Sequence, residues 1–273
     1  MSQSMINAAV TMNQLQLKMD QIGNNLANSN TNGYKTRNTE FSSLLYRQMD
    51  NLTNPANAEG RLTPDGIRTG TGAKAASMKL DFANGAIQTT NRALDAALTG
   101  ENLFFQLQDD AGETVYTRDG AFYLSPAPDG MLMLVTADGD PVLGGDGPIM
   151  IEEGFDSIFI RDNGEIVTVQ DGEAAVAGEL AVVEITRPHL LEASGDNQFR
   201  LPDLGALGFA MEEIVQAPAD GATLLEGGAL EKSNVDIAKQ MTDLITAQRA
   251  YQLNARTLTM GDHMMGLISQ LRS

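Results

Sequence analysis

Apolar side chains near the start of the chain fall on a regular lattice. Met5, Ala8, Met12, Leu15, Met19, Ile22 and Leu26 follow one another at alternating steps of three and four, the 3.5-residue seam of a helix that packs on other helices. Asn13, Gln14, Gln16, Lys18, Asp20, Gln21 and Asn24 lie between them, and no Pro or Gly intervenes before Gly23. The pattern predicts a helix over Ser4 to Ala27, about 36 Å long. The C-terminal segment repeats it less cleanly. Ile237, Met241, Leu244, Tyr251, Ala255, Leu258 and Met265 keep the alternation, while Gln248 and Asp262 take two seam positions. Ser233 with Asp236 three residues on reads as a capping box that starts this helix near Ser233, and Gly261 and Gly266 weaken its last turns. Val235, Ile245, Leu253, Leu267, Ile268 and Leu271 widen the apolar face beyond a two-stranded seam.

Two apolar stripes of this kind need partners. One arrangement pairs the two helices with each other inside a monomer, since antiparallel pairs use the same spacing. The small residues Ala8, Ala247 and Ala255 allow close approach, and the additional apolar positions offer faces to more than one neighbour. Those features favour packing among several helices.

Between the ends the period changes to that of strands. Val115–Thr117 and Ala121–Leu124 flank Asp119-Gly120, which reads as a hairpin. Asp129-Gly130, Asp138-Gly139, Asp162-Asn163-Gly164 and Asp171-Gly172 punctuate further runs, among them Met131–Thr136, Ser157–Ile160, Glu165–Val169 and Ala181–Ile185. The spacing predicts an antiparallel sandwich or irregular barrel over roughly Lys74 to Glu226. From Asn28 to Gly72 the composition turns to Asn, Thr, Gly and Pro, predicting an extended arm with one short helix, Phe41 to Met49. The fold class that follows is α+β: N- and C-terminal helices packing together, with a central antiparallel β-rich domain.

Composition narrows the function. With 36 acidic against 18 basic residues the net charge is −18, which repels polyanions, and no Lys/Arg cluster offers a nucleic-acid footprint. The absence of Cys rules out disulfides and thiolate metal sites. With no Trp and 5% aromatics, the core must rest on Leu, Ile, Val, Met and Phe. The first ten residues lack the basic and apolar regions of a secretory signal, and the apolar runs are too short for a membrane helix. His189 and His263 share no metal-ligand spacing. Asp138-Gly139-Asp140 and Gly144-Gly145-Asp146-Gly147 lack the regular ligands of an EF-hand and read as turns. Gly70-Thr71-Gly72 lacks the third glycine of a dinucleotide loop. No nucleophile, base and oxyanion site assemble from these residues, so no enzyme, cofactor or metal is expected.

One stretch carries more information than its composition. Asn24-Asn25-Leu26-Ala27-Asn28-Ser29-Asn30-Thr31-Asn32-Gly33-Tyr34-Lys35 closely resembles the N-terminal signature of flagellar rod and hook proteins, usually Asn-Ile-Ala-Asn-Ala-Asn-Thr-x-Gly-Phe/Tyr-Lys, with Leu26 replacing the Ile. Its matching positions are Asn24, Asn25, Ala27, Asn28, Asn30, Thr31, Gly33, Tyr34 and Lys35. Ser233-Asn234-Val235-Asp236 followed by Leu244-Ile245-Thr246-Ala247-Gln248-Arg249-Ala250-Tyr251 resembles that family's closing helix. Gly85–Thr90, Leu94-Asp95, Phe104-Phe105 and Tyr116–Gly120 resemble its shared β-region. Leu103 departs from the pattern, which often has Gly before the aromatic pair.

The resemblance implies a structural subunit exported through the flagellar type III pathway, most similar to the distal-rod type; hook, proximal-rod and transient cap or scaffold proteins are the alternatives. It implies an N-terminal assembly helix (1–30), an extended arm (31–73), a β-rich outer domain (74–226) and a C-terminal assembly helix (233–273). The expected assembly interface is Met5, Met12, Leu15, Met19, Ile22 and Leu26 on the first helix, with Ile237, Met241, Leu244, Tyr251, Leu258 and Met265 on the last. The partners implied are further copies of the chain, other rod and hook proteins and the flagellar export apparatus. Nucleic acid and membrane insertion are not expected.

Overall fold

The computed structural model of the protein describes residues 2–43, 47–49, 67–69, 73–109, 111–127, 130–195, 197–218 and 225–272. The chain divides into two compact units. The first comprises Met1–Leu26, Arg37–Lys79 and Ile237–Ser273; the second comprises Ala27–Thr36 and Leu80–Asp236.

Two long helices dominate the first unit: α1, Ser2–Ala27, at the start of the chain, and a 36-residue helix, Ile237–Arg272, at its end. Gly261 does not break the last helix. It is buried, and a Cβ there would come to 3.0 Å from both Cγ and Sδ of Met5, so glycine is what lets the two helices approach at that point. Among the described residues, Ala8, Ile22 and Ala247 are the other buried apolar residues of the pair. The last helix begins four residues later than the capping box at Ser233 suggests. Ser233 Oγ instead accepts a hydrogen bond from the Val235 amide (3.3 Å), a local turn that competes with helix. The arm also departs from expectation. Phe41–Ser43 belong to the strand Arg37–Ser43, which pairs with Ala73–Leu80. Arg47–Met49 pairs antiparallel with Ile67–Thr69. The expected helix over Phe41 to Met49 is therefore two strand ends, with 44–46 outside the described residues. Pairing across the arm satisfies the backbone where local propensity is weak. Gly70-Thr71-Gly72 also falls outside the described residues.

The second unit is antiparallel throughout its described ladders. Its main sheet has six strands in the order Glu192–Gly195, Gln198–Arg200, Thr114–Thr117, Leu103–Gln108, Val182–Ile185 and Val215–Gln216. Side chains alternate across it, so it builds a core on each face. Leu103, Phe105, Leu107, Val115 and Val182 point to one side. There they meet Leu134, Ile151, Ile160 and Ile166 from two three-stranded sheets, Met150–Glu152/Met131–Val135/Tyr123–Pro126 and Ser157–Ile160/Glu165–Gln170/Glu173–Glu179. Phe104, Tyr116 and Ile185 point to the other side, under Leu204 and Ile214 of two single-turn helices, α2 (Leu204–Leu207) and α3 (Met211–Ile214). The last helix, Ile237–Arg272, is α4. Phe82, Phe104 and Phe199 stack edge to face in this second core, with centroids 5.3–6.1 Å apart. No methionine is among the buried hydrophobics of the described residues, so Met does not share the core role that composition assigned it.

Asp138-Gly139, Asp162-Asn163-Gly164 and Asp171-Gly172 mark turns, while Asp129 lies outside the described residues. Asp171 and Gly172 have φ of 51° and 84° and join Gln170 to Glu173, the paired left-handed geometry of a two-residue hairpin. Asp119-Gly120 is different. Thr114–Thr117 pairs with Leu103–Gln108 and Gln198–Arg200, while Tyr123–Pro126 pairs with Met131–Val135, so the expected hairpin is a crossing between sheets. Gly120 sits so close to Ala96 that a Cβ would lie 1.7 Å from its carbonyl oxygen. Close approach, not a turn, requires glycine there.

Candidate functional site

The signature residues separate by role once placed. Asn24, Ala27 and Asn30 are exposed, whereas Asn25, Gly33, Tyr34 and Lys35 are buried. Asn25 closes on the backbone of Arg37 in both directions, donating from Nδ2 to its carbonyl (2.9 Å) and accepting from its amide (3.1 Å). Gln21 donates to the same carbonyl. Asn28 holds the following turn: its carbonyl accepts from the Thr31 amide and its Oδ1 from the Thr31 hydroxyl, both at 3.2 Å.

Within the second unit the segment Asn32–Thr36 meets Glu231–Asn234, and the two are tied by side chains from both. Glu231 is the hub. Its Oε1 accepts from Lys35 Nζ (2.8 Å) and from the Gly85 amide (2.7 Å), and its Oε2 accepts from Arg118 Nε (2.8 Å). Its carbonyl accepts from the Gly33 amide at 2.9 Å. Lys35 and Glu231 side chains are each 1% exposed and Arg118 is fully buried. Arg118 spends its remaining donors on the carbonyls of Gly100, Glu101 and Leu103 and on Asn84 Oδ1. Asn234 completes the clasp. Its Oδ1 accepts from the amide (2.8 Å) and hydroxyl (2.7 Å) of Thr36, and its Nδ2 donates to the carbonyls of Asp81 and Ala83. Lys232 Nζ donates to Asn32 Oδ1 (2.9 Å), and Asn197 donates to the Asn32 carbonyl. Gly33 has φ of 66°, and a Cβ there would stand 2.6 Å from the Asp119 amide, so the segment lies flat on the crossing described above.

Two cations share one carboxylate here, out of water. Burial first, and then the neighbouring Arg118 guanidinium, bring the Lys35 ammonium down to about 8, with Glu231 opposing. Burial pulls Arg118 below its usual value, again against Glu231. Asp119 beside them is pushed up to about 6 by burial, with the charges of Asp95 and Asp138 adding to it. Each buried charge of the Lys35–Glu231–Arg118 group is paired and hydrogen-bonded, the condition under which such groups persist. The arrangement holds two chain segments together and offers no free nucleophile. Glu231 and Arg118 carry it and were not singled out from the sequence as a pair. The signal available was a charge closing a short, mostly apolar run at each place, Val115-Tyr116-Thr117-Arg118 before Asp119 and Ala229-Leu230-Glu231 before Lys232.

The expected assembly residues fall into two sets. Met5, Met12, Leu15, Met19 and Leu26 of α1, and Leu244, Tyr251 and Leu258 of α4, are half-buried, and Ile22 is buried. Ile237, Met241 and Met265 are exposed. Outside the seam, Ile6, Leu17, Ile245, Leu253, Met260, Met264 and Leu267 are exposed too, Leu253 and Ile6 by about three-fifths of their surface (62% and 61%). His189 and His263 are both exposed. Among the described residues no cluster of His, Cys, Asp or Glu is placed to hold a metal ion, and no helix is long and apolar enough to cross a membrane.

Three segments of the chain match described families. Residues 5–35 match "Flagella basal body rod protein", 97–168 match "Flagellar hook protein FlgE/F/G D1 domain", and 226–271 match "Flagellar basal body rod FlgEFG protein C-terminal". Over its whole length the chain is 43% identical to the flagellar hook-basal body complex protein FlhP of Bacillus subtilis, covering 100% of both chains. It is 36% identical to the flagellar basal-body rod protein FlgG of Borreliella burgdorferi, covering 100% of this chain and 99% of that one. With FlgG of Caulobacter vibrioides it shares 34% identity over 99% of this chain and 100% of the relative. The chain thus belongs to the flagellar basal-body rod and hook family, as a structural subunit of the flagellar axis located in the basal body.

Proposed function

We propose that this chain is a rod subunit of the distal-rod type, that it polymerises with copies of itself and with other rod and hook proteins through α1 and α4, and that it transmits torque along the axis without catalysing a reaction. It reaches the axis through the flagellar export apparatus. End-to-end correspondence with rod proteins supports the rod over the hook, whose subunits carry a larger outer domain.

The observation that carries the assembly reading is the apolar surface left open on the two helices. Large apolar side chains outside the seam face solvent on both, a surplus that one antiparallel pairing leaves uncovered. Neighbouring subunits in a polymer would cover it. The interface accordingly extends past the expected seam to Ile6, Leu17, Ile245, Leu253, Met260, Met264 and Leu267.

Leu253→Asp tests this, because Leu253 is 62% exposed in the subunit and a carboxylate there harms only a contact between subunits. Burying that charge unpaired costs several kcal/mol, on the order of 3 to 5. The expected result is an unchanged melting temperature for the β-rich unit, with incorporation into basal bodies and motility lost. Thr242→Asp, on an exposed turn where the hydroxyl bonds only the Ala238 carbonyl of its own helix, should assemble normally. Normal incorporation of Leu253→Asp would remove α4 from the interface.

A further inference from the structure

We infer that Asn32–Thr36, where the N-terminal signature ends, and Glu231–Asn234 are two halves of one intramolecular clasp, already closed in the free subunit, with Glu231 and Asn234 as its positioning residues. The inference rests on the proposed assembly through α1 and α4: without the neighbours that would cover their exposed apolar side chains, the two helices fray in the free subunit and order on assembly, and the inference adds where that ordering stops. Three observations carry it.

The first is that the clasp is complete within one chain. Every partner of Lys35, Thr36, Arg118, Glu231 and Asn234 named above lies in the second unit, so no neighbouring subunit is needed to fill a bond. The second is burial. Tyr34, Lys35 and Thr36 are at most 7% exposed and Gly33 is buried with them, and a side chain hidden in the subunit cannot be a contact between subunits or a mark read by another protein. Of the signature, only Asn24, Ala27 and Asn30 face outward among the buried and half-buried remainder. The third is covalent position. The chain enters the β-rich unit directly after α1 and leaves it directly before α4. Residues 35 and 231 are 196 apart in sequence, so closing them together in the free subunit removes that loop-closure cost from the later step. When the helices order, both begin from segments already held side by side.

Asn234 is the clearest single residue for this. Its amide replaces a strand partner for Thr36 on one side and for Asp81 and Ala83 on the other. It also lies at the margin of the unit, only half-buried, so its loss should open the clasp without emptying the core.

Hydrogen exchange on the free, full-length wild-type subunit tests the proposal. Amides of Gly33, Thr36, Asp81, Gly85 and Lys232 should be protected to a degree comparable with the strand Leu103–Gln108, while those of α1 and α4 exchange quickly. Asn234→Ala should speed exchange of the peptides covering 33–36 and 81–83 by roughly tenfold or more, leaving 103–108 unchanged. Thr36→Val, which deletes only the hydroxyl bond to Asn234, is the graded variant and should give about fivefold. If the wild-type clasp amides exchange as fast as the helices while 103–108 stays protected, the clasp is not closed in the free subunit and the inference fails, though assembly through the helices stands. If α1 and α4 are as protected as 103–108, the assembly reading fails and the clasp does not. Should Thr36→Val and Asn234→Ala both leave 33–36 unchanged, Asn234 has no positioning role.

Discussion

Glu231 shows what one residue can fix over a long stretch of chain. Its two oxygens each take a different cation, and its backbone carbonyl takes the Gly33 amide. Removing the carboxylate would strand two buried cations, the costly way to break such a group, whereas each cation alone still has carbonyls to lean on. Asp119 lies beside this group and, among the described residues, has no cation bonded to it in return. Its folded value of about 6 stands above the ordinary 3.8, chiefly through burial. A raised carboxyl binds its proton more readily folded than unfolded, so its charge weighs against the fold fully above about pH 6. That weight lifts as pH falls toward 4. Asp119→Asn keeps an oxygen for the Ala121 amide and abolishes the titration. The melting temperature of the variant should exceed that of the wild type most at about pH 7 to 8, and the gap should close between about pH 6 and pH 4. A gap independent of pH would mean that Asp119 is not the group that titrates.

The two helices and the β-rich unit use different chemistries of contact. Met5, Met12 and Met19 lie on α1, and Met241, Met260, Met264 and Met265 on α4, while the sheet cores are filled by Leu, Ile, Val and Phe. Methionine adapts its shape to a neighbour where branched residues dictate one, which suits helices that must pack in a polymer. Limited proteolysis of the free subunit should therefore cut within α1 and α4 first, since helices whose outer apolar side chains are left uncovered fray. The surviving fragment should end beyond Asn234 rather than at Glu226, because the clasp protects that stretch. A fragment ending near Glu226 would show the clasp open. What the sequence made legible at this scale was whatever a local period decides. The seam from Met5 to Leu26 is all within α1, and Asp171-Gly172 forms its hairpin. What it hid was decided by distant partners. Ser233 reads locally as a helix cap, but its neighbour Asn234 is held by Thr36 and Asp81, and the helix waits until Ile237. Asp119-Gly120 reads as a turn, but Arg118 is drawn inward by Glu231, 113 residues away. Phe41–Ser43 finds a strand partner across the arm that no local pattern announces.

Charge is divided between the two units far more sharply than the total of −18 suggests. The first unit holds seven acidic residues, Asp20, Glu40, Asp50, Glu59, Asp65, Asp243 and Asp262, against eleven basic ones, and so carries a small positive excess. The remaining twenty-nine of the 36 acidic residues sit in the second unit beside seven basic ones, of which Lys35 and Arg118 are buried. Copies brought together by their helices therefore bring strongly acidic β-rich units together as well. Like charges of that density repel over a Debye length, about 30 Å at 0.01 M salt and about 10 Å at 0.1 M. The apolar contacts of α1 and α4 depend on salt only weakly, so repulsion sets the trend. Polymerisation of the purified subunit, followed by sedimentation, should be suppressed at about 0.01 M salt and promoted at about 0.3 M, where the β-rich units are screened. The competing possibility is that basic residues of the first unit pair with acidic ones of a neighbour. Salt would then dissolve the polymer, and a polymer that weakens steadily with added salt would show that ion pairs across the interface, not the apolar stripes, hold the subunits together.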